Sequence, residues 1–93
     1  MIKSFRDKRT KAIYGEDVPK GVSRDLAQTA LRKHRLIHAA QGLPDLQSPP
    51  GNRLEALRGD RKGQHSIRVN QQWRICFAFK AGAFQDVELV DYH

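Results

Sequence analysis

The sequence predicts an α+β fold in which two helices cover one face of a small, mostly antiparallel sheet. The first half of the chain carries apolar residues at helical spacing and the second half carries alternating apolar residues, with a Pro-rich connector at 48–52 between them. Residues two apart share one face of a strand, so Ile75 and Phe77 predict a buried face. The opposite face is predicted to be polar and cationic, with Ser66, Arg68, Arg74 and Lys80.

Length and composition favour a single domain that spans residues 1–93. The chain is 39% hydrophobic and 29% charged, which fits a folded soluble protein rather than a disordered one. No apolar run approaches the roughly 20 residues that cross a bilayer, and residues 1–6 lack the apolar segment of a signal peptide. The single cysteine, Cys76, excludes an internal disulfide, so we expect the protein in a reducing cytoplasm and away from membranes.

The net charge of +7 predicts an acidic partner, which can be nucleic acid, an acidic protein or an anionic surface. Between Arg53 and Lys80 there are seven basic residues and only two acidic ones, Glu55 and Asp60. This crowding favours a binding surface over a basic surface that serves only solubility.

The amino-terminal residues predict a short opening strand and then a first helix. Residues 1–6 alternate in polarity, and Asp7 can cap a helix that runs to about Tyr14. Gly15 is expected to end this helix in the left-handed conformation.

A second, longer helix is predicted from a cap at Ser23 or Asp25 to about Gln41, where Gly-Leu-Pro stops it. Its apolar stripe is expected to cover the sheet and comprises Leu26, Ala30, Ile37 and Ala40. His34 and His38 are four residues apart on this helix and can in principle share a metal ion. No other ligand is placed by spacing to complete such a site, so we interpret both as partly buried structural residues.

The connector at 48–52 is predicted to join neither a helix nor a central strand. Four strands follow, at 53–57, 64–69, 73–79 and 84–92, with turns at 70–72 and 81–83 that suit antiparallel hairpins. Cys76 lies in the middle of the third strand and is expected to be inert packing.

The chain ends in an acid, a phenol and an imidazole: Asp91, Tyr92 and His93. Nearby carboxylates favour a protonated His93, which beside Arg58 and Arg74 can act as a general acid. The alternative is a frayed terminus without a role. Asp91 and Tyr92 fall on opposite sides of a regular strand, so a bend or bulge before Asp91, or a tail that leaves the sheet, is required for all three to converge.

Several short motifs combine into a family pattern: MIKSF at 1–5, LRGDRKGQ at 57–64, SI at 66–67, VN at 69–70, WRI at 73–75 and DYH at 91–93. Together they resemble HigB-type toxins of the RelE/ParE superfamily, and 48–57 and 64–70 look most like the GraT type. The resemblance covers nearly the whole chain and is weakest between residues 6 and 47.

This resemblance implies a RelE-like microbial RNase fold and a toxin of a type II toxin–antitoxin system. Such a toxin cuts mRNA in the ribosomal A site without a metal or other cofactor. The implied partners are the ribosome, its mRNA and a cognate HigA-like antitoxin with a helix-turn-helix domain, through which operator DNA is contacted only indirectly. The family pattern often has His where this chain has Glu55, and Trp where it has His65.

Carried over by position, the family's functional residues are Arg58, Arg74, Asp91, Tyr92 and His93. Arginine side chains suit the extra charge of a phosphate under attack by the ribose 2′-OH, and His93 suits the general acid. Either Asp91 or Glu55 can be the general base or can orient His93.

Tyr92 can stack on a base of single-stranded RNA. Flanking phosphates or ribosomal RNA are expected to meet Arg61, Lys62 and Arg68. A rival interpretation is a non-catalytic basic protein that blocks the ribosome or, as in ParE-like relatives, DNA gyrase.

Overall fold

The computed structural model describes residues 1–92 and confirms the α+β class. Two helices precede four strands: α1 (Lys8–Tyr14), α2 (Arg24–Ala39), β1 (Glu55–Ala56), β2 (Gln64–Arg68), β3 (Trp73–Lys80) and β4 (Ala83–Asp91). The strands form one antiparallel sheet in the order β1-β2-β3-β4. No helix within residues 1–92 is long and apolar enough to cross a membrane.

Helix α1 begins as predicted and ends differently. The Asp7 carboxylate accepts a hydrogen bond from the Thr10 N–H at 2.7 Å, which confirms the predicted cap. The prediction of a left-handed Gly15 was wrong, because its φ is −81° and the left-handed residue is Glu16, at 70°. The Glu16 and Asp17 N–H groups bond the carbonyls of Ile13 and Ala12, so the helix ends in a Schellman motif one residue later than expected.

Helix α2 packs its predicted stripe on the sheet. Ser23 is the cap, since its hydroxyl accepts from the Leu26 N–H at 3.1 Å, and the helix ends at Ala39 rather than Gln41. All four stripe residues are buried: Leu26, Ala30, Ile37 and Ala40.

The opening residues extend the sheet beyond β4 in the parallel direction, through bridges of Ile2 with Phe84 and of Phe5 with Val87. A bulge interrupts β4 here, because three steps from Gln85 to Glu88 face two steps from Ala78 to Cys76. This segment is the predicted opening strand, reduced to two isolated bridges.

The connector and the first strand correct two predictions. The connector was predicted to hold no helix, but it contains a single 3-10 turn, Pro50–Asn52. The Asn52 amide is fully buried and ties the turn down through bonds to the Leu46 and Ser48 carbonyls, both at 3.2 Å. Arg53 then adopts a left-handed conformation with φ of 45°, so β1 has two residues instead of the five predicted.

The faces of the sheet follow the predicted alternation with one correction. Ile67, Ile75 and Phe77 are fully buried on the helix-covered face. The opposite face is cationic at the end that carries Arg68 and Arg74, but in its middle Ser66 and Cys76, which are paired across β2 and β3, are also fully buried. Bonds from Arg74 to Ser66 show that the long arginine side chain lies over this part of the sheet.

The two histidines of α2 differ in environment. His34 is fully buried between the rings of Phe5 and Tyr14, each at 6.1 Å and edge-on, and neither of its ring nitrogens has a hydrogen-bond partner within residues 1–92. Burial lowers the pKa of His34 to about 4. His38 is exposed, and its Nδ1 accepts a hydrogen bond from the Ile2 N–H at 3.2 Å. His34 is therefore structural, as predicted, but it is fully rather than partly buried. His38 was also predicted to be partly buried and is instead exposed, where it fastens the opening strand segment.

Stability is expected to fall between about pH 6.5 and 4 because of His34. The unfolded chain binds a proton at this imidazole below about pH 6.5, whereas the folded protein excludes it until about pH 4. The full contribution is present above pH 6.5, and up to roughly 3 kcal/mol of the free energy of unfolding is lost by pH 4. Urea unfolding of the wild type and of His34→Leu at several pH values in this range gives the slope of the free energy of unfolding against pH for each protein. We expect a smaller slope for His34→Leu. His38→Asn is the control and should keep the wild-type slope, while equal slopes in all three proteins would contradict the assignment.

Candidate functional site

Tyr92 lies between two open depressions at the cationic end of the sheet. One, of about 310 Å³, is lined by Arg53, Arg68, Asn70, Gln71, Arg74 and Tyr92. The other, of about 370 Å³, is lined by Glu55, Ala56, Leu57, Arg58 and Tyr92. Together they form what we call the Tyr92 groove, which brings four of the predicted residues to one place: Arg58, Arg68, Arg74 and Tyr92.

The Arg74 guanidinium is held firmly on its strand. Its Nε donates to the Ser66 hydroxyl at 2.8 Å, and its Nη2 donates to the carbonyls of Arg53 at 2.7 Å and Ser66 at 3.4 Å. The guanidinium carbon lies 5.8 Å from the centre of the Tyr92 ring, within the range of a cation–π contact. The groove therefore contains a positioned cation stacked on an aromatic ring.

A second arginine stands directly opposite on the neighbouring strand. Arg68 pairs with Arg74 across β2 and β3, and its Nε donates to the Asn70 carbonyl at 3.0 Å. Like charges opposite one another are unfavourable in the free protein. They also concentrate positive potential, so an anion in the groove relieves the repulsion.

Glu55 and Arg58 form the other side of the groove. Glu55 pairs with Ser66, so its exposed side chain shares the sheet face of Arg74. Arg58 is exposed in an extended conformation just before the 3-10 turn Gly59–Arg61. A carboxylate and a guanidinium thus line one depression together with Tyr92, which is itself 41% exposed.

Asp91 lies apart from this set. It pairs with Trp73 in the sheet, while Arg74 pairs with Val90, so Asp91 and Arg74 project from opposite faces. The Gln72 side chain donates to the Asp91 carboxylate at 3.0 Å. The bulge in β4 precedes Asp91, but it leaves Asp91 and Tyr92 on opposite sides. Asp91 therefore does not converge with Tyr92 and Arg74, and the prediction for His93 lies outside the described residues.

Arg61 and Lys62 were predicted to contact phosphates that flank the cleavage site. In the structure, Arg61 is hydrogen-bonded within the protein, whereas Lys62 is exposed. Arg61 Nη1 donates to the side chains of Gln64 and Glu88, both at 3.1 Å, and Arg6 approaches the same Glu88 oxygen at 3.7 Å. This network anchors the Gly59–Arg61 turn, which follows Arg58, to β4. The hydrogen bond between Arg61 and Glu88 joins residues that are 27 positions apart, so spacing in the sequence could not have predicted it.

Among residues 1–92, neither a buried nucleophile nor a metal cluster adds to the site. Burial raises the pKa of the Cys76 thiol, which agrees with its predicted role as inert packing. Within residues 1–92, no group of three or more His, Cys, Asp or Glu side chains is arranged to hold a metal ion.

Comparison with known proteins identifies relatives along the whole chain. A family model described as the RelE-like toxin of the type II toxin–antitoxin system HigB matches residues 3–93. Toxin HigB-1 of Vibrio cholerae serotype O1 is 41% identical over 83 residues, which cover 88% of this chain and 87% of that protein. Endoribonuclease HigB of Proteus vulgaris is 33% identical over 93 residues, which cover both chains completely.

A solved structure shares the fold. The YoeB–YefM complex from Staphylococcus aureus contains a chain that superposes with a TM-score of 0.64 at 12% identity, covering 100% of this chain and 98% of that one. At this identity the match shows a common RelE-like fold and nothing finer.

Proposed function

The chain belongs to the HigB-like toxins, the RelE-like toxins of type II toxin–antitoxin systems, and from that premise we propose that it is a ribosome-dependent endoribonuclease. It would enter the ribosomal A site and cut the mRNA there by metal-independent attack of a ribose 2′-OH on the adjacent phosphate. The observation that carries this proposal is the Tyr92 groove, where Arg58 and the anchored Arg74 flank one aromatic ring.

The reaction requires three contributions from the protein. The 2′-oxygen attacks phosphorus and loses its proton, the bond from phosphorus to the 5′-oxygen breaks, and that oxygen gains a proton. The products are a 2′,3′-cyclic phosphate and a 5′-hydroxyl. Arg58 and Arg74 would stabilise the additional charge on the non-bridging phosphate oxygens during the attack.

Glu55 is the better candidate for the general base. Its carboxylate lines the same depression as Arg58 and Tyr92, whereas Asp91 projects from the other face of the sheet. A carboxylate beside the phosphate-binding arginine can accept the 2′-OH proton over a short path. His93, carried over from the family pattern, would supply the proton to the 5′-oxygen, and Asp91 would orient it.

The remaining groove residues suit RNA binding. Tyr92 is exposed enough to stack on a nucleobase, and base–aromatic stacking does not depend on a particular sequence. Arg68 and Lys62 are placed to meet neighbouring phosphates or ribosomal RNA. Arg61 would contribute mainly by holding the turn next to Arg58, because its Nη1 donates to both Glu88 and Gln64.

We also propose a cognate HigA-like antitoxin as the partner in the cell. The curated relatives are named HigB, and the structure with the same fold was solved as a toxin–antitoxin complex. Operator DNA would be contacted through the helix-turn-helix domain of that antitoxin, and this chain would be cytoplasmic with the ribosome and mRNA as its targets.

Primer extension on mRNA from cells that express the protein tests the activity. We expect 5′ ends that are phased with codons, that carry a 5′-hydroxyl, and that disappear when translation of the reporter is prevented by removal of its start codon. A matched strain expressing Arg74→Ala controls for cleavage by host enzymes. Growth arrest without new 5′ ends would instead support the rival function, a basic protein that blocks the ribosome or gyrase without cutting.

A further inference from the structure

Ser66 is a fully buried polar residue in the middle of β2, next to the Tyr92 groove. Its hydroxyl oxygen accepts the Nε–H of Arg74 at 2.8 Å, and its own carbonyl accepts from Nη2 of the same side chain at 3.4 Å. Ser66 therefore offers two acceptors to one edge of the guanidinium. Its place on the sheet face, opposite Cys76 and not opposite Arg74, brings the hydroxyl diagonally under the arginine.

The hydrogen bonds of Arg74 involve the Nε–Nη2 edge of the guanidinium and leave Nη1 available to a ligand. A guanidinium has five N–H donors. The Nε–H and the two hydrogens of Nη2 point to Ser66 and to the carbonyl of Arg53, a residue in the left-handed conformation. Nη1 makes no hydrogen bond to any of residues 1–92, and Arg74 lines the groove beside Tyr92.

The hydrogen bonds that anchor Arg74 oppose an electrostatic repulsion. Arg68 stands directly opposite Arg74 and repels it, so an unanchored side chain would swing into solvent. A long, flexible cation loses rotamer freedom when it must bind a phosphate. Acceptors on Ser66 and Arg53 keep the guanidinium in place before RNA arrives, which lowers the cost of forming the phosphate contact.

We propose that Ser66 is a positioning residue: it holds the Nε–Nη2 edge of Arg74 so that Nη1 is presented to the scissile phosphate. The inference rests on the proposed ribonuclease function for its catalytic consequence, but the anchoring itself is independent of that function. It follows that Arg74 contacts the phosphate through Nη1, because the Nε–Nη2 edge, which can bind a phosphate in a bidentate manner, is already bonded to Ser66 and Arg53.

A double-mutant cycle on the ribosome tests the catalytic consequence. Ser66→Ala should lower the single-turnover rate of mRNA cleavage about tenfold, because a hydrogen bond to a charged group is lost. In an Arg74→Ala background the same change should have an effect of less than about twofold, because there is no longer a guanidinium to position. A serine that merely stabilised the sheet would instead cause the same fold-loss in both backgrounds, and that result would overturn the proposal.

Cys76→Ala provides a matched control. Cys76 is equally buried, pairs with Ser66 across the sheet, and loses one heavy atom at the same depth, but it makes no hydrogen bond to Arg74. This variant should cleave at the wild-type rate. A loss equal to that of Ser66→Ala would show that the cavity alone matters and would contradict the positioning role.

The anchoring can be observed without any cleavage. In the 15N NMR spectrum of the free protein, the Arg74 Nε–H signal should be shifted and protected from exchange with water. Ser66→Ala should bring its exchange rate to that of an exposed arginine, while Cys76→Ala should leave it slow. Fast exchange in the wild type would overturn the proposal even if the protein cuts mRNA. Conversely, slow exchange that depends on Ser66 would sustain the anchoring even if the protein cuts nothing.

Discussion

Replacement of Arg74 by alanine is expected to slow mRNA cleavage on the ribosome by about 10²–10³-fold, the usual effect of removing one donor that stabilises developing charge. Arg74 is the cation whose position is fixed before binding, by Ser66, by the Arg53 carbonyl and by the Tyr92 ring. Ribosome binding should weaken far less, since many other cations remain on a chain of net charge +7. The fold should survive, because the side chain is only half-buried.

Arg68→Ala is the matched comparison for this prediction. Arg68 has the same charge, the same face of the sheet and the position directly opposite, but its Nε donates to the Asn70 carbonyl next to the turn. It should weaken ribosome association more than it slows the bound-state reaction. Single-turnover cleavage and ribosome co-sedimentation measured for both variants separate the two steps. Equal losses of binding and cleavage in Arg74→Ala would mean that Arg74 only anchors the toxin.

His93→Ala is expected to abolish toxicity through a loss of about 10²–10⁴-fold in cleavage, the range for a general acid. Without a proton donor, the 5′-oxygen must leave as an alkoxide, and bond breaking becomes limiting. The truncation that removes Tyr92 and His93 should be at least as inactive, because stacking on the RNA base is lost as well. Growth after induction and cleavage of a 5′-labelled mRNA on purified ribosomes provide the measurements.

Tyr92→Phe is the control for the terminal residues. It keeps the ring against Arg74 and removes only the phenolic hydroxyl, so it should retain much more activity than either His93 variant. Thermal unfolding should be similar for all of these proteins. Growth arrest that persists in the truncated protein would exclude an essential acid at the end of the chain.

Local signals made most of the fold predictable. The caps at Asp7 and Ser23 bond N–H groups three residues ahead, and the helical stripe and strand alternation depend only on nearby residues. The failures arise where specific hydrogen bonds and buried side chains, rather than periodicity, set the backbone conformation. Glu16, rather than Gly15, takes the left-handed conformation because its N–H and that of Asp17 close a Schellman motif on the last helical turn. The first strand is short because the turn at Pro50–Asn52, secured by buried Asn52, forces Arg53 into a left-handed conformation.

The candidate site was predictable in part. The crowding of basic residues indicated a surface for an acidic partner, the family resemblance implied RNA, and parity separated Tyr92 from Asp91, as the strand register shows. The contact between Tyr92 and Arg74 came only from the structure. The sequence could not show that Ser66 is buried beneath Arg74, or that Arg61 is committed to Glu88, because both depend on contacts across strands. Glu55 lines the groove only because β1 pairs with β2 in one particular register.

The segment at residues 1–6 has a consequence for association with other chains. Its carbonyl and N–H groups bond Phe84 and Val87, and farther along β4 the Thr10 hydroxyl and Arg9 guanidinium bond the backbone of Leu89. The outer border of β4 is thus already satisfied, and the opposite border, β1, is only two residues long. Within residues 1–92, the edges of the sheet therefore present few unpaired backbone N–H and C=O groups to which a strand of another molecule could add. We therefore expect that an added strand contributes little when another protein binds this chain.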